Sequence, residues 1–385
     1  MRTRIDIEKF EEETLAPYAM KSKDSAGREY KEKDHEMRTC YQRDRDRIVH
    51  SEAFRKLEYK TQVFTIFEGD YYRTRLTHTI EVAQIGRTIG RNLRLNEDLI
   101  EAIALAHDLG HPPFGHAGEG HLRDKMKEIG GFDHNKRSFE IVTKFEKRYP
   151  HFDGLNLTRE VLVGILKHET QYDKGAYSAK YKKGPTLEAK IVDFADSLAY
   201  LNHDIDDGLT SGYITEKDLM ESSLWRRVYK KAEESIRNND FEMKKYQVVK
   251  QLIDMQVRDF LTETDKRLKK LKFKNALEAR TYQGIVAGFS PRMKEQRDAL
   301  QKLLHKKLYQ HYHVVRMNEK ARRIIFDLFD VYLQQPNQLP YSVYSREKKY
   351  TKKQKYEIIC NYIASMTDRF ALEEHKKLFN PYTKV

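Results

Sequence analysis

Apolar residues recur along most of this chain at the three- and four-residue steps of an α-helix, while the alternating runs typical of β-strands are scarce. Residues that interrupt helices are also few, with 9 Pro and 18 Gly among 385 residues. A helix with such a pattern buries one stripe of its surface against its neighbours. The sequence therefore predicts an all-α protein built from packed helices.

The density of apolar residues changes along the chain and suggests three regions. Residues 1–45 form a charged N-terminal lead-in, and residues 46–213 are the densely apolar segment expected to form the core that carries the chemistry. Residues 214–385 are helical and more strongly charged, with basic runs at 266–274 and 346–355. These runs are either phosphate contacts or ordinary solvated helix faces.

Charge and cysteine content narrow the class of protein. A net charge of +13 indicates an anionic partner such as a nucleotide, a nucleic acid or a membrane surface, without choosing among them. Cys40 and Cys360 are too few for a disulfide framework and stand too far apart for a Cys-type zinc knuckle, which favours a reducing compartment. No stretch approaches the roughly 20 apolar residues that span a bilayer, so we expect a cytoplasmic protein.

Chemically active side chains lie on apolar helix faces. His78 shares the apolar stripe of its predicted helix with Val82 and Ile85, and His107 continues the stripe of the next helix. Asp108 follows near the expected end of that helix, where a loop over residues 110–118 should begin. A lone histidine on such a face is usually a core residue, but a buried histidine beside an acid needs a partner.

A third predicted helix, residues 190–209, carries Asp196, Tyr200 and Asp204 at four-residue steps on one face. Buried carboxylates need a cation or hydrogen bonds. A set with metal-ligand chemistry can be drawn from the three helices: His78, His107, Asp108 and Asp196. Two imidazoles and two carboxylates suit Mn, Fe, Ni, Co or Mg in octahedral geometry better than a closed tetrahedral zinc, and they leave two positions for water and substrate.

Several longer strings resemble the HD-domain metal-dependent phosphohydrolases and, within them, the deoxyguanosine triphosphate triphosphohydrolase-like (dGTPase-like) branch. The strings are RDRIVHSEAFRKLEYKTQVF (45–64), RTRLTHTIEVAQIGRTI (73–89), EAIALAHDLGHPPFGHAGE (101–119), GGFDHN (130–135), GLNLT (154–158), DFADSLAYLNHDIDDGL (193–209) and ARRIIFDLFDVYLQQPNQLP (321–340). The resemblance is weakest over residues 215–290. It implies an HD helical core and a reaction that cuts a dNTP between the 5′-oxygen and the α-phosphorus, releasing deoxynucleoside and inorganic triphosphate.

The resemblance also carries family roles onto single residues of this chain. The metal ligands of the family fall on the four residues collected above, with one divalent ion per active site: Mn²⁺ or Mg²⁺ first, and Fe²⁺, Co²⁺ or Ni²⁺ as alternatives. The catalytic histidine and its carboxylate partner fall on His116 and Glu119, and a further active-site histidine falls on His134. Substrate contacts of the family fall on Gln62, His111, Tyr200, Asp204 and Tyr309, and Arg75 joins them because it lies about one helical turn before His78.

Some assignments remain open at this point. Arg75 either holds phosphate oxygens through its fork of donors or forms a surface salt bridge. His116 is expected to protonate the leaving 5′-oxygen with Glu119 orienting it, although the same pair could activate water instead. His168 either approaches the site or lies on a helix surface, and His121 is expected to have a surface or packing role.

The resemblance further implies a homo-oligomer, with a hexamer among the possibilities, and a dNTP that acts as an effector. Residues 214–385 would complete the substrate site and form the oligomer interfaces. Two alternatives remain: an HD phosphodiesterase or 5′-nucleotidase that acts on another nucleotide, and a single-stranded nucleic-acid-binding protein that works through its basic helices. The base preference among dNTPs is not fixed by the sequence.

Overall fold

The computed structural model describes residues 1–62, 72–166, 184–234 and 241–384. Across these ranges the secondary structure is helical, and pairing of extended chain is confined to isolated bridges such as Thr61 with Thr74. The predicted all-α class is confirmed. The principal helices run as follows: α1 Arg4–Thr14, α2 Cys40–Val49, α3 Glu52–Lys56, α4 Arg75–Asn92, α5 Glu97–Ala106, α6 Gly115–Lys125, α7 His134–Glu140, α8 Arg159–Leu166, α9 Leu187–Thr210, α10 Glu216–Leu219, α11 Ser223–Glu233, α12 Phe241–Leu271, α13 Ala276–Thr281, α14 Pro291–Leu304, α15 Tyr312–Gln334, α16 Lys352–Ala364 and α17 Asp368–Phe379.

Threonine caps fix where the central helices begin. The side chain of Thr74 accepts a hydrogen bond from the Thr77 amide at the start of α4, and Thr186 accepts one from Ala189 at the start of α9. Each cap satisfies an amide that the first helical turn leaves without an intrahelical partner. The helices that carry His78 and Asp196 therefore start at positions fixed by local sequence.

Three apolar clusters hold the helices together. The largest joins α2, α4, α5, α8 and the first half of α9, and it includes Met20 and Tyr41 from the charged N-terminal segment. A second cluster surrounds the buried Trp225, where the last half of α9 packs with α11, α12 and α14. A third joins α6 to α15, α16 and α17 around Phe329. Because α9 and α6 take part in different clusters, the side chains between these two helices lie where the clusters meet.

The segment between α5 and α6 begins and ends three to four residues earlier than the predicted loop. Helix α5 ends at Ala106, and α6 already begins at Gly115 rather than after residue 118. Phe114 adopts a left-handed conformation with φ 65° and ψ 23°, and Gly115 also has a positive φ of 58°. Two consecutive residues with positive φ therefore follow the Pro-Pro pair, and the Gly118 amide donates to the Phe114 carbonyl oxygen as α6 starts.

The same segment packs against α7 with no room for a side chain at Gly110. A Cβ atom there would lie 2.2 Å from the carbonyl oxygen of His134 and 2.3 Å from the Ser138 nitrogen. We expect Gly110→Ala to lower the free energy of unfolding by about 2 kcal/mol, since backbone must move to admit the methyl group. Urea unfolding followed by circular dichroism measures this loss.

Gly120→Ala is the matched control because Gly120 lies inside α6 and a Cβ atom there would meet no atom within 4 Å. This substitution is expected to raise stability by up to about 1 kcal/mol through the higher helix propensity of Ala. Equal losses in the two variants would contradict the steric explanation.

None of the helices in the described ranges is long and apolar enough to cross a membrane.

Candidate metal centre and active site

Helices α4, α5 and α9 bring together the four residues with metal-ligand chemistry. His78 on α4 places its Nε2 2.8 Å from Asp196 Oδ1 on α9 and 4.0 Å from Asp108 Oδ2. His107 directly follows α5, and its Nε2 lies 3.4 Å from Asp108 Oδ1 and 3.7 Å from Asp196 Oδ1. All four side chains are buried. Two imidazoles and two carboxylates that are up to 118 residues apart in sequence therefore form one buried cluster.

This arrangement fits a divalent cation. Ligand atoms of His78, His107 and Asp108 all lie within 4.8 Å of one another, which makes them a group that could hold a metal ion. The Nδ1 of His107 lies 2.6 Å from the Ala104 carbonyl oxygen, which makes Nδ1 the protonated nitrogen and directs the lone pair of Nε2 to the cluster. Burial by itself raises the pKa of Asp108, but interactions with His107 and Arg75 hold it well below its usual value. The donor set is therefore anionic and mixed in N and O, as hard and borderline divalent ions require.

Arg75 lies inside the protein and does not form a surface salt bridge. Its side chain is 1% exposed, and its Nη1 donates to Asp108 Oδ2 at 2.8 Å. Within the described ranges, its Nε and Nη2 are buried without a hydrogen-bond partner. Buried guanidinium donors without a partner are costly, so this position is suited to an anionic ligand.

A group of aromatic rings extends from the metal-ligand set toward α6 and α9. The Nδ1 of His111 lies 3.0 Å from Asp108 Oδ1, and the His111 ring stacks on His134 with 3.9 Å between ring centroids. The ring of His116 lies 5.2 Å from that of His111 and 5.8 Å from Tyr200, again between centroids. The predicted catalytic histidines therefore adjoin the cluster of predicted metal ligands.

Glu119 is held chiefly by His134. Its oxygens lie 3.0 and 3.1 Å from His134 Nδ1, and Oε1 accepts the His134 amide at 3.1 Å, whereas His116 Nδ1 is 3.7 Å away. Arg123 adds a contact of 3.0 Å. Burial alone raises the pKa of Glu119, yet the charge of His134, its hydrogen bonds and the nearby His116 hold it well below its usual value. The carboxylate thus joins two histidines, with the shorter contact to His134.

A cavity of about 420 Å³ opens beside these groups. Its lining residues come from five parts of the chain: Gln62, Phe114, His116, Ala117, Glu119, Arg123, Tyr200, Tyr309, Val314 and Asn318. Gln62 is 4% exposed, and its Oε1 is buried with no hydrogen-bond partner among the described residues. The cavity thus borders an acceptor that can take a donor from a ligand.

Tyr309 and Asp204 form a pair at one side of this cavity. The Tyr309 hydroxyl donates to Asp204 Oδ2. Burial, followed by the charge of Asp207, raises the pKa of Asp204 well above its usual value. Tyr309 ends a π-helical turn, His305–Tyr309, and lines the same cavity as Tyr200 of α9.

Two residues that sequence reasoning left unassigned tie the α5–α6 segment to distant parts of the chain. The Lys60 ammonium donates to the His111 carbonyl oxygen. Asp368, at the start of α17, accepts the amides of Thr61 and Phe114 at 3.0 Å each. Separations of more than 250 residues leave no local signal for the latter contacts. His121 packs beside Phe326, and His168 lies outside the described residues.

Lys60 gives the protein a pH-dependent contribution to stability. Burial lowers its pKa from 10.5 to about 7, against the opposing attraction of Asp368. Between these values the unfolded chain holds more protons than the native protein, so this contribution to stability rises with pH. Between about pH 7.5 and about pH 9, we expect the free energy of unfolding of the wild type to rise by up to about 2 kcal/mol relative to that of Lys60→Met.

Urea unfolding of both proteins at the two pH values measures this difference. Lys56→Met is the control, since Lys56 is partly exposed and pairs with Glu52 on the surface of α3. If the difference in the free energy of unfolding between wild type and Lys60→Met is the same at both pH values, the pKa of Lys60 in the native protein is not lowered.

Two family models match the parts of the chain that carry these residues. The HD domain matches residues 75–201, which include the four predicted metal ligands, and the phosphohydrolase-associated domain matches residues 287–377, which include Tyr309. With the buried His and Asp cluster, these matches define an HD-domain phosphohydrolase, a class of hydrolases that binds divalent metals.

Relatives over nearly the full length define the branch. The chain is 48% identical to a "Deoxyguanosinetriphosphate triphosphohydrolase-like protein" of Geobacter sulfurreducens, over 96% of each chain. It is 42% identical to a protein of the same name from Leptospira interrogans, over 98% of this chain and 99% of the relative. The chain belongs to the family of deoxyguanosinetriphosphate triphosphohydrolase-like proteins, which confirms the resemblance found in the sequence.

Proposed function

We propose that this protein is a metal-dependent dNTP triphosphohydrolase that converts dGTP, and other dNTPs as well, to deoxynucleoside and inorganic triphosphate. The names of its relatives support the reaction. The main structural support is the buried donor set beside Arg75, because a carboxylate-rich metal position next to unpaired guanidinium donors suits a phosphate chain.

His78, His107, Asp108 and Asp196 would hold the divalent ion, which we propose to be Mn²⁺ or Mg²⁺, with Fe²⁺, Co²⁺ and Ni²⁺ as alternatives. When bound, such an ion supplies positive charge against the α-phosphate and lowers the pKa of water for in-line attack. Arg75 would donate its Nε and Nη2 hydrogens to phosphate oxygens. His111, beside Arg75 and Asp108, and Tyr200, in the cavity wall, would contact the same phosphate chain.

His116 would protonate the departing 5′-oxygen, because an alkoxide is a poor leaving group at neutral pH. Its side chain is 37% exposed and lines the cavity, so it can reach a substrate there. Glu119 would keep His116 and His134 in place, with His134 limiting how the carboxylate moves. In this proposal the protein's own side chains would supply one proton donor, His116, which the Glu119 carboxylate orients.

The sugar would lie at the other side of the cavity. Gln62 and Asp204 would bind the 3′-hydroxyl. Among the described residues Gln62 Oε1 and Asp204 Oδ1 are buried without a partner. Gln62 Oε1 would accept the hydroxyl hydrogen, and Asp204, whose pKa is raised well above its usual value, would donate its carboxyl hydrogen to the hydroxyl oxygen. Tyr309, fixed by its bond to Asp204, would occupy the space that a 2′-hydroxyl needs. This arrangement would favour deoxynucleotides over ribonucleotides.

Product analysis with each of the four dNTPs, alone and mixed, in Mn²⁺ and in Mg²⁺ tests the proposal. We expect inorganic triphosphate and deoxynucleoside in equal amounts. Pyrophosphate, monophosphate or free phosphate as the first product would favour the phosphodiesterase or 5′-nucleotidase alternative. Salt-sensitive binding of single-stranded DNA without hydrolysis under any of the five metals would favour the nucleic-acid-binding alternative.

Assembly and regulation form a second part of the proposal. We propose a cytoplasmic homo-oligomer, with a hexamer among the possible states, and a dNTP or single-stranded DNA as effector. Exposed lysines on α12, including Lys269 and Lys270, offer contacts for an anionic effector. Faster turnover of one dNTP when a second is added, together with the mass of the assembly by light scattering, tests this part.

A further inference from the structure

A row of side chains leads from His78 away from the proposed metal centre. The Nδ1 of His78 lies 3.2 Å from the Nδ1 of His203, on the same buried stretch of α9 as Asp204. The other nitrogen of His203, Nε2, contacts the Glu81 carboxylate. His203 is 4% exposed, whereas the Glu81 side chain is 41% exposed, so the row runs from the buried His78 to a partly exposed carboxylate.

The carboxylate end of this row is firmly placed. Arg73 Nε lies 3.2 Å from Glu81 Oε2, and the same guanidinium reaches Asp206 at 2.8 Å and Asp207 at 2.7 Å. Burial alone raises the pKa of Glu81, but the bond from His203 and the charge of Arg73 bring it to about 2. Glu81 is therefore an ionised group that can only accept hydrogen bonds.

The positions of the hydrogens follow from that acceptor. His203 must carry its proton on Nε2 to donate to Glu81, and a neutral imidazole then has a lone pair on Nδ1. Two facing ring nitrogens bond only if one of them carries a hydrogen, so the hydrogen lies on Nδ1 of His78. The lone pair of His78 Nε2 then faces the metal-ligand cluster, with Asp196 Oδ1 2.8 Å away, as expected for two ligands of one cation.

We infer that His203 and Glu81 are positioning residues that fix the tautomer and ring orientation of His78 so that its Nε2 can bind the metal ion. This role rests on the proposed metal centre. It gives a purpose to a buried histidine that neither contacts the cavity nor belongs to the ligand set.

Two polar substitutions of similar size separate this role from simple packing. In His203→Asn the amide Oδ1 takes the place of Nδ1 and can accept the His78 hydrogen. In His203→Gln the longer side chain reaches the place of Nε2 toward Glu81 but offers no acceptor at the Nδ1 position. We expect the Mn²⁺ dissociation constant to rise by about 10- to 100-fold for His203→Gln and to stay within about threefold of wild type for His203→Asn.

The measurement is titration of the metal-free, full-length protein with Mn²⁺, with free Mn²⁺ followed by electron paramagnetic resonance. Thermal unfolding in chelator checks that both variants are folded, and a variant that unfolds is replaced by Glu81→Leu, for which the same loss of affinity is expected. Equal Mn²⁺ affinity in wild type, His203→Gln and Glu81→Leu would overturn the inference, as would equal weakening by Asn and Gln.

His78→Ala separates this inference from the proposed metal centre. If wild type and His78→Ala bind Mn²⁺ equally well, the centre itself is wrong. If His78→Ala abolishes binding while His203→Gln leaves it intact, the centre stands and the positioning role of His203 is refuted.

Discussion

Asp108→Asn is expected to lower kcat/KM by more than about 10³-fold, equivalent to about 4 kcal/mol of transition-state stabilisation. The substitution keeps the shape of the side chain but removes its negative charge from the proposed ligand set and from Arg75, which donates to Asp108 at 2.8 Å. The substitution would therefore remove one proposed metal ligand and weaken the partner that holds the guanidinium beside the cluster.

Metal content by mass spectrometry and kcat/KM for dGTP, measured on the same preparation, test this expectation. Asp330→Asn is the control, because Asp330 is 48% exposed and pairs with Lys125 at 2.7 Å on the surface. An Asp108→Asn protein that keeps one Mn²⁺ per chain and wild-type turnover would remove Asp108 from the centre.

His116→Ala is expected to lower kcat by about 10²- to 10⁴-fold while metal content stays unchanged, since the histidine would act on the leaving group and not on the metal. His121→Ala is a matched control on the same helix, because His121 packs beside Phe326 and not in the cavity. A large loss in His121→Ala, or full activity in His116→Ala, would contradict the assignment.

An activated ester separates the acid role of His116 from a base role. From a 4-nitrophenyl phosphate ester, the leaving group is 4-nitrophenolate, which departs as a stable anion. An acid catalyst therefore contributes little to its departure. His116→Ala should then approach wild-type activity on the nitrophenyl ester while it remains slow on dGTP. Equal losses on both substrates would instead indicate that His116 activates the attacking water.

Local patterns were sufficient to predict the all-α class and the helix faces on which several buried polar side chains lie. The apolar stripe of α4 predicts that His78 points inward, and the four-residue steps of α9 predict that Asp196, Tyr200 and Asp204 share a face. The structure brings His78 and Asp196 within 2.8 Å, as the helix-face argument requires. Amphipathic periodicity is a local property, so it can be read without knowledge of the fold.

Contacts set by the packing of distant helices could not be read in this way. The preference of Glu119 for His134 over His116 depends on the angle between α6 and α7, and the end of α5 at Ala106 depends on how the following segment docks on α7. The bond of Asp368 to Phe114 joins residues 254 positions apart. No periodicity encodes such distances, because they result from the tertiary arrangement of whole helices.

The contacts of Asp368 bear on how such a protein can be divided in evolution. A gene fragment for residues 75–201 would keep the HD domain and the four predicted ligands, but it would lose the carboxylate that fastens the Phe114 amide, and it would lose Tyr309. Recombination that separates the HD domain from its associated domain would therefore yield two pieces that each lack part of the site. Selection should keep these two segments together in one reading frame.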